Sequence, residues 1–182
     1  VEGSDVIIRD TGINSTRTGI IDVLKMMGAD IEILNKMDFG LEPVADIRIR
    51  YAPLKGAVIS GGLVPRAIDE FPILCVAGAL ADGETVIRDA KELRVKESDR
   101  IAAMADGLRR MGVDIEEFDD GLRIAGRERL SGAVCKSYCD HRVAMAIIIA
   151  GLRADGETII EDTEWINTSF PDFMEKLNSL KG

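Results

Sequence analysis

The sequence predicts an α/β (α+β) chain made of a repeated supersecondary unit, with apolar helices buried among short strands. Three observations carry that expectation. The stretch GALADGETVIRD at 78–89 returns as GLRADGETIIED at 151–162, and MGADIE at 27–32 returns as MGVDIE at 111–116. A recurrence of this length marks one structural unit used more than once. Amphipathic helical periodicity alternates with β-branched runs. Two further segments are apolar almost all round, the pattern of a helix buried on every side.

Taken in order, SDVIIRD (4–10) reads as a strand and as the tail of a third copy of the repeat. Ile20, Ile21, Leu24 and Met27 then share a helical face, and Gly28 is placed to close that helix. DIEIL (30–34) and VADIRIRY (44–51) follow as strands, and AIDEFPILCVAGALA (67–81) is the first buried helix. Asp82-Gly83 turns the chain into the strand ETVIRD. Ile101, Met104, Ala105, Leu108 and Met111 form a second amphipathic face, closed by Gly112 and followed by strands DIEEF and GLRIAG. HRVAMAIIIAGLR (141–153) is the second buried helix, and Asp155-Gly156 repeats the turn. Phe170, Phe173, Met174 and Leu177 make a third amphipathic face. The first copy begins at its strand and the last ends at its helix, Leu180-Lys181-Gly182, so a helix-bearing segment before Val1 is expected to complete the repeat.

Composition narrows the function. In 182 residues, 46% are hydrophobic and 30% charged, which describes a globular chain. A formal charge of −9 argues against general nucleic-acid or membrane-surface binding. The longest apolar run, 143–152, is too short to span a bilayer. Three cysteines without a disulfide framework fit the reducing cytoplasm. Cys135, Cys139 and His141 lie close together in sequence, but they fall short of four ligands and lack paired C-x-x-C spacing, so no metal site is expected. Neither a Walker-type phosphate loop, a dinucleotide glycine fingerprint nor a nucleophile elbow is present, so no cofactor is expected.

The charged residues gather at helix starts. Loops 13–19, 94–100 and 166–172 each carry Ser or Thr where a cap belongs, and Pro171 sits where an early helical proline is tolerated. If these starts face one way, their free N–H groups attract anions, and Arg17, Lys96, Arg100 and Arg142 add full positive charge. A carboxylate at a helix start ordinarily just offsets the dipole, which accounts for Asp99 and Asp172. Asp69 is different, because it leads into a buried helix where an unused charge is costly. A carboxylate partly desolvated beside cations is a proton-transfer group.

These motifs carry a family resemblance. LRVKESDRIAAMADGLRRMGVDIEE, CDHRVAMAIIIAGL, VPRAIDEFPIL and TSFPDF, with NSTRTGIIDVLKMMGADIE and EPVADIRIRYAPLKG, resemble the 5-enolpyruvylshikimate-3-phosphate synthase family over almost the whole chain. The resemblance implies the enolpyruvyl transferase fold, two domains each of three βαβαββ units with the active site between them. Residues 1–182 would form most of the C-terminal domain, with an incomplete first repeat and without the N-terminal domain.

The activity so implied is transfer of the enolpyruvyl group of phosphoenolpyruvate to the 5-hydroxyl of shikimate 3-phosphate, with release of phosphate and without metal or cofactor. By motif, Asp69 corresponds to the base at the acceptor hydroxyl and Glu97 to the acid that moves a proton at the methylene carbon. Lys96 corresponds to a contact on the shikimate phosphate side, and Arg100 and Arg142 to the pair on the phosphoenolpyruvate carboxylate. His141 belongs to the same D-H-R motif. Thr168 stands where some members carry a lysine that reaches phosphoenolpyruvate, which leaves this half one cation short or completed from elsewhere. The missing domain would supply a lysine, an arginine and most of the acceptor contacts, so the chain alone is expected to fold, to bind the donor weakly at best and not to turn over. Two other readings are an enolpyruvyl transferase acting on UDP-N-acetylglucosamine, which does not usually pair K-E-S-D-R with D-H-R, and a non-catalytic anion-binding module.

Overall fold

A computed structural model describes residues 1–180. The predicted terminal Lys181 and Gly182 lie outside the described residues. The repeat is visible as one complete βαβαββ unit in the middle of the chain, flanked by two partial ones. The complete unit runs through strand β4 (Val58–Ile59), helices α2 (Leu63–Ala67) and α3 (Phe71–Ala79), β5 (Glu84–Ile87), α4 (Arg100–Arg110), β6 (Asp114–Phe118) and β7 (Gly121–Ala125). Its sheet has the order β4-β5-β7-β6, with β4 parallel to β5 and the other pairs antiparallel. Before it, β1 (Asp5–Gly12), α1 (Gly19–Met26), β2 (Asp30–Phe39) and β3 (Glu42–Arg50) form an antiparallel sheet of order β1-β3-β2. After it, β8 (Leu130–Ser131) and β9 (Val134–Lys136) lead through α5 (His141–Gly151) to their parallel partners β10 (Ala154–Asp155) and β11 (Ile159–Glu161). The last helix is α6 (Phe173–Ser179).

Helices α3, α4 and α5 pack on one another at the centre of a single apolar cluster. The predicted face of α4 is fully covered: Ile101, Met104, Ala105 and Leu108 are buried, as is Met111 just beyond it. Gly28 and Gly112 take φ of +93° and +86° after α1 and α4, the left-handed closure that glycine permits. The two predicted turn glycines, Gly83 and Gly156, are likewise at +90° and +91°.

The repeat extends to side-chain detail. A Cβ at Gly78 would lie 3.0 Å from the Thr85 Cβ, and one at Gly151 would lie 3.3 Å from the Thr158 Cβ. Each threonine therefore packs onto a helix end that has no side chain. Both hydroxyls are buried without a hydrogen-bond partner among the described residues. A hydroxyl left unpaired in the core costs more than an isosteric methyl. Thr85→Val is expected to leave the fold intact and raise stability by about 1 kcal/mol in urea unfolding. A clear loss of stability would show that the hydroxyl is partnered after all.

Two expectations are corrected. Helix α5 is not buried on every side: Val143, Ala144, Ala146, Ile147 and Ala150 are, but Met145, Ile148 and Ile149 are only half-buried. Helix α6 has no buried residue, and Met174 and the preceding Phe170 are exposed. Ile149 and Phe170 border an open apolar groove of about 770 Å³, lined also by Ile7 and Ile8 of β1 and by Phe173 and Leu177 of α6, while Ile148 and Met174 border a separate depression. The amphipathic face of α6 exists, but nothing among the described residues fills the space it looks into. No helix among them is long and apolar enough to cross a membrane.

Candidate active site

Asp69 lies in a 3-10 turn (Ile68–Glu70) between α2 and α3, with Pro72 opening the helix proper. Its side chain is 35% exposed and faces three guanidinium groups. One Asp69 carboxylate oxygen is 3.7 Å from Arg17 Nη2 and 3.7 Å from Arg142 Nη2, and the other is 3.9 Å from Arg100 Nη1. Arg142 also donates through Nη1 to the Asp69 backbone carbonyl at 2.9 Å. Residues from three repeats thus meet at one carboxylate.

Local packing explains the convergence. Gly19 lets α1 come so close to α2 that a Cβ would lie 2.5 Å from the Arg66 carbonyl carbon. Arg66 then pins the loop before α1, donating to the Ser15 carbonyl at 2.8 Å and to Asp22 at 2.7 Å. That holds Arg17 beside Asp69. Arg17 is 70% exposed, so it is the cation of the group most open to solvent.

Arg100 begins α4 and is the opposite case, only 1% exposed. Its Nε donates to Asp140 Oδ2 at 2.8 Å, and its Nη2 donates to Glu97 at 2.6 Å. Asp140 is completely buried, and its carboxylate is fully used. Oδ2 also accepts from Ser98 Oγ at 3.1 Å, while Oδ1 caps α5 by accepting from the N–H groups of Arg142 at 2.9 Å and Val143 at 3.3 Å. One side chain therefore locks the start of α4 to the start of α5 and fixes the separation of Arg100 and Arg142. The turn that delivers it is strained: Tyr138 and Cys139 have φ of +55° and +58°, and the buried Ser137 holds them through its hydroxyl and carbonyl. Of the four buried polar residues among the described residues, Thr85, Arg100, Ser137 and Asp140, three belong to this network.

Burial pushes the Asp140 carboxyl up, but the hydrogen bond and charge of Arg100, with the two capping N–H groups, outweigh it and leave the group below its ordinary value. A carboxylate so depressed adds stability that is complete above the unfolded-state value near pH 4 and is lost as pH falls below it. Between about pH 5 and pH 2 the urea midpoint of the wild type should therefore fall more steeply than that of Asp140→Asn. Parallel curves would remove Asp140 from the acid response. Glu70, beside Asp69, is shifted the other way: burial raises it against the opposing charge of Arg142.

The remaining residues named from sequence lie as follows. Glu97 is half-exposed on Arg100. Lys96 pairs with Glu92, one turn back along the 3-10 segment Lys91–Val95. His141 is half-buried at the first position of α5. Thr168 is exposed at the end of the turn Thr163–Thr168, and its hydroxyl donates to the Trp165 carbonyl at 2.7 Å, outside the arginine cluster. The loops cap differently from expectation: Asp99, not Ser98, caps α4 by accepting from Ala102 N, and Thr18 and Asp172 occupy cap positions without a side-chain bond. Pro171 precedes α6 rather than lying inside it. Beside Asp69 and Arg142 a pocket of about 190 Å³ opens, walled by Glu70, Met145, Ile149 and Phe173. Among the described residues no three His, Cys, Asp or Glu side chains cluster as a metal site would require.

Chemically, the arrangement offers a partly desolvated carboxylate for taking a proton and arginines for holding anionic groups. The model of the EPSP synthase family, 3-phosphoshikimate 1-carboxyvinyltransferase, matches residues 1–177. The chain belongs to the EPSP synthase family. The 3-phosphoshikimate 1-carboxyvinyltransferase of Geobacter sp. strain M21 is 57% identical over 180 residues, 99% of this chain and 42% of the relative. That of Desulforudis audaxviator is 56% identical over 178 residues, again 42% of its length. The chain therefore spans well under half of the curated relatives it matches. An EPSP synthase structure from Acinetobacter baumannii superposes with a TM-score of 0.95 at 48% identity, covering 98% of this chain and 42% of the other. The enolpyruvyl transferase NikO from Streptomyces tendae, 22% identical with a TM-score of 0.74, shares the fold.

Within this EPSP synthase family chain, sequence reading finds Asp69, Glu97, Arg100 and Arg142, and the structure brings these four together. It weighs Asp140 among the acids without giving it a role and leaves Ser98 as part of a helix start, and the structure joins both to Arg100 through the Asp140 carboxylate. The available signal is small: an aspartate capping an almost wholly apolar helix, one residue before the D-H-R histidine.

Proposed function

We propose that this chain is most of the C-terminal domain of an enzyme that transfers the enolpyruvyl group of phosphoenolpyruvate to the 5-hydroxyl of shikimate 3-phosphate. The observation that carries the reading is the meeting of Arg100, Arg142 and Arg17 at Asp69, on a chain of this family. Arg100 and Arg142 hold the donor carboxylate, where two guanidinium groups fix orientation as well as charge. Asp69 accepts the proton of the acceptor hydroxyl as its oxygen bonds to the central carbon of the donor. Glu97 delivers a proton to the methylene carbon in that addition and removes one in the elimination. The tetrahedral intermediate then expels phosphate and leaves the enol ether on the acceptor. Lys96 serves the acceptor side, leaving Glu92 for the shikimate phosphate, and His141 belongs to the substrate-binding set beside Arg142 at the start of α5. Thr168 supplies no charge, so the donor phosphate depends on Arg17 and on groups outside this chain.

The enzyme would work in the cytoplasm, in line with Cys75, Cys135 and Cys139, all of which are free thiols. Further chain of the same protein would supply the other half of the cleft and cover the apolar groove between β1 and α6. The test is a coupled phosphate-release assay. The full-length parent should release phosphate only when both phosphoenolpyruvate and shikimate 3-phosphate are present, and residues 1–182 alone should release none. Clear turnover by the isolated chain would contradict the division of the site.

A further inference from the structure

We infer that Glu97 occupies the donor carboxylate's own place on Arg100, so that the ligand binds by exchange and its arrival sets Glu97 free. The inference rests on the proposed function for the identity of the ligand, but its geometry is that of Arg100 alone. The guanidinium has three hydrogen-bonding positions. Nε is committed to Asp140, which is completely buried and holds four donors, so that bond has no room to change. Nη2 is taken by Glu97 at 2.6 Å and Nη1 faces Asp69 at 3.9 Å. These two partners are 49% and 35% exposed, while Arg100 is 1% exposed. Among its partners, Glu97 and Asp69 are the ones that reach solvent, while Asp140 is completely buried.

With Nε committed to Asp140, the Nη1–Nη2 edge is the one left to grip a planar carboxylate with two parallel bonds. Glu97 is itself a carboxylate on a half-exposed side chain, three residues before Arg100, and it competes from within the chain at no translational cost. A ligand carboxylate must displace it. The displaced Glu97 then carries a free carboxyl group beside the bound donor, which is what a proton-transfer acid needs. Glu97 therefore acts as a specificity-determining residue as well. It keeps Arg100 satisfied while the site is empty, since a buried unpaired cation is costly, and it yields only to a group that can replace a carboxylate. A monatomic anion such as chloride cannot span the vacated edge with two parallel bonds.

The test is an NMR titration of residues 1–182 with phosphoenolpyruvate, with pyruvate and with chloride, in the wild type, Glu97→Gln and Glu97→Ala. Removing an internal charged competitor should tighten both carboxylates about tenfold, the scale of one hydrogen bond to a charged group, and change chloride, which cannot make two parallel bonds, much less. Equal or weaker carboxylate binding by both variants, or no detectable binding by any form, overturns the exchange. Equal tightening for chloride also overturns it, because the effect then reduces to one less negative charge. Tightening for pyruvate without binding of phosphoenolpyruvate upholds the exchange and removes the donor assignment. Phosphoenolpyruvate binding that is unchanged in both variants keeps the donor assignment and removes the exchange.

Discussion

Asp69→Asn in the full-length parent is expected to lower kcat by about a thousandfold, within the range that a positioned general base contributes, while KM for phosphoenolpyruvate stays level or falls. The direction of KM follows from the site. Asp69 is the negative partner of Arg17, Arg100 and Arg142, and replacing it with a neutral amide leaves the arginines more strongly attractive to an anion. The amide has nearly the same shape, so the hydrogen bond from Arg142 to the Asp69 backbone carbonyl persists and the fold is unaffected. Steady-state kinetics of both substrates, with a thermal melt as control, would check it. A rise in KM with kcat intact would instead make Asp69 a binding residue.

The second large effect falls on stability. Asp140→Ala removes the buried partner of Arg100, two capping bonds at α5 and the acceptor for Ser98 in one step. Breaking a buried ion pair from one side costs about 3–5 kcal/mol, because the remaining charge stays buried and unpaired. Glu97 and Asp69 still face Arg100, which puts the expected loss toward the lower end of that range. Urea unfolding should register about 3 kcal/mol, and Tm should drop by roughly 10 °C for a chain of this size. Asp140→Asn keeps the shape and one acceptor oxygen, and should fall between wild type and alanine. A loss below about 1 kcal/mol, the scale of an ordinary surface substitution, would mean that Arg100 is held by its other two partners.

Much of this was legible in the residues because local rules agreed with the fold. The face of α4 has helical spacing and is covered in full, and the glycines that close α1 and α4 sit where a left-handed residue is required. The site was legible in part for a different reason. Asp69 stands out as a charge leading into an apolar helix, and Arg100 and Arg142 stand out as cations at helix starts.

What escaped sequence reading depends on long-range geometry. The pairing of Asp140 with Arg100 joins residues 40 apart, and no local pattern distinguishes it from ordinary helix capping. The burial of Arg100 is equally invisible, since an arginine in a charged run usually faces water. Exposure of α6 and of one side of α5 was missed because periodicity reports which face is apolar and says nothing of what covers it. Lys96 pairs with Glu92 and Thr168 turns back on Trp165, so their places in the structure do not follow from the motif.

The central claim is that Asp69, Arg100 and Arg142 form one half of a site for an enolpyruvyl donor. A crystal structure of the full-length parent with phosphoenolpyruvate and shikimate 3-phosphate would test it most directly. The account predicts the donor carboxylate between the guanidinium groups of Arg100 and Arg142, Glu97 turned away from Arg100, and the Asp69 carboxylate within hydrogen-bond reach of the acceptor hydroxyl. A donor bound away from these arginines, with the Glu97–Arg100 pair intact, would contradict it.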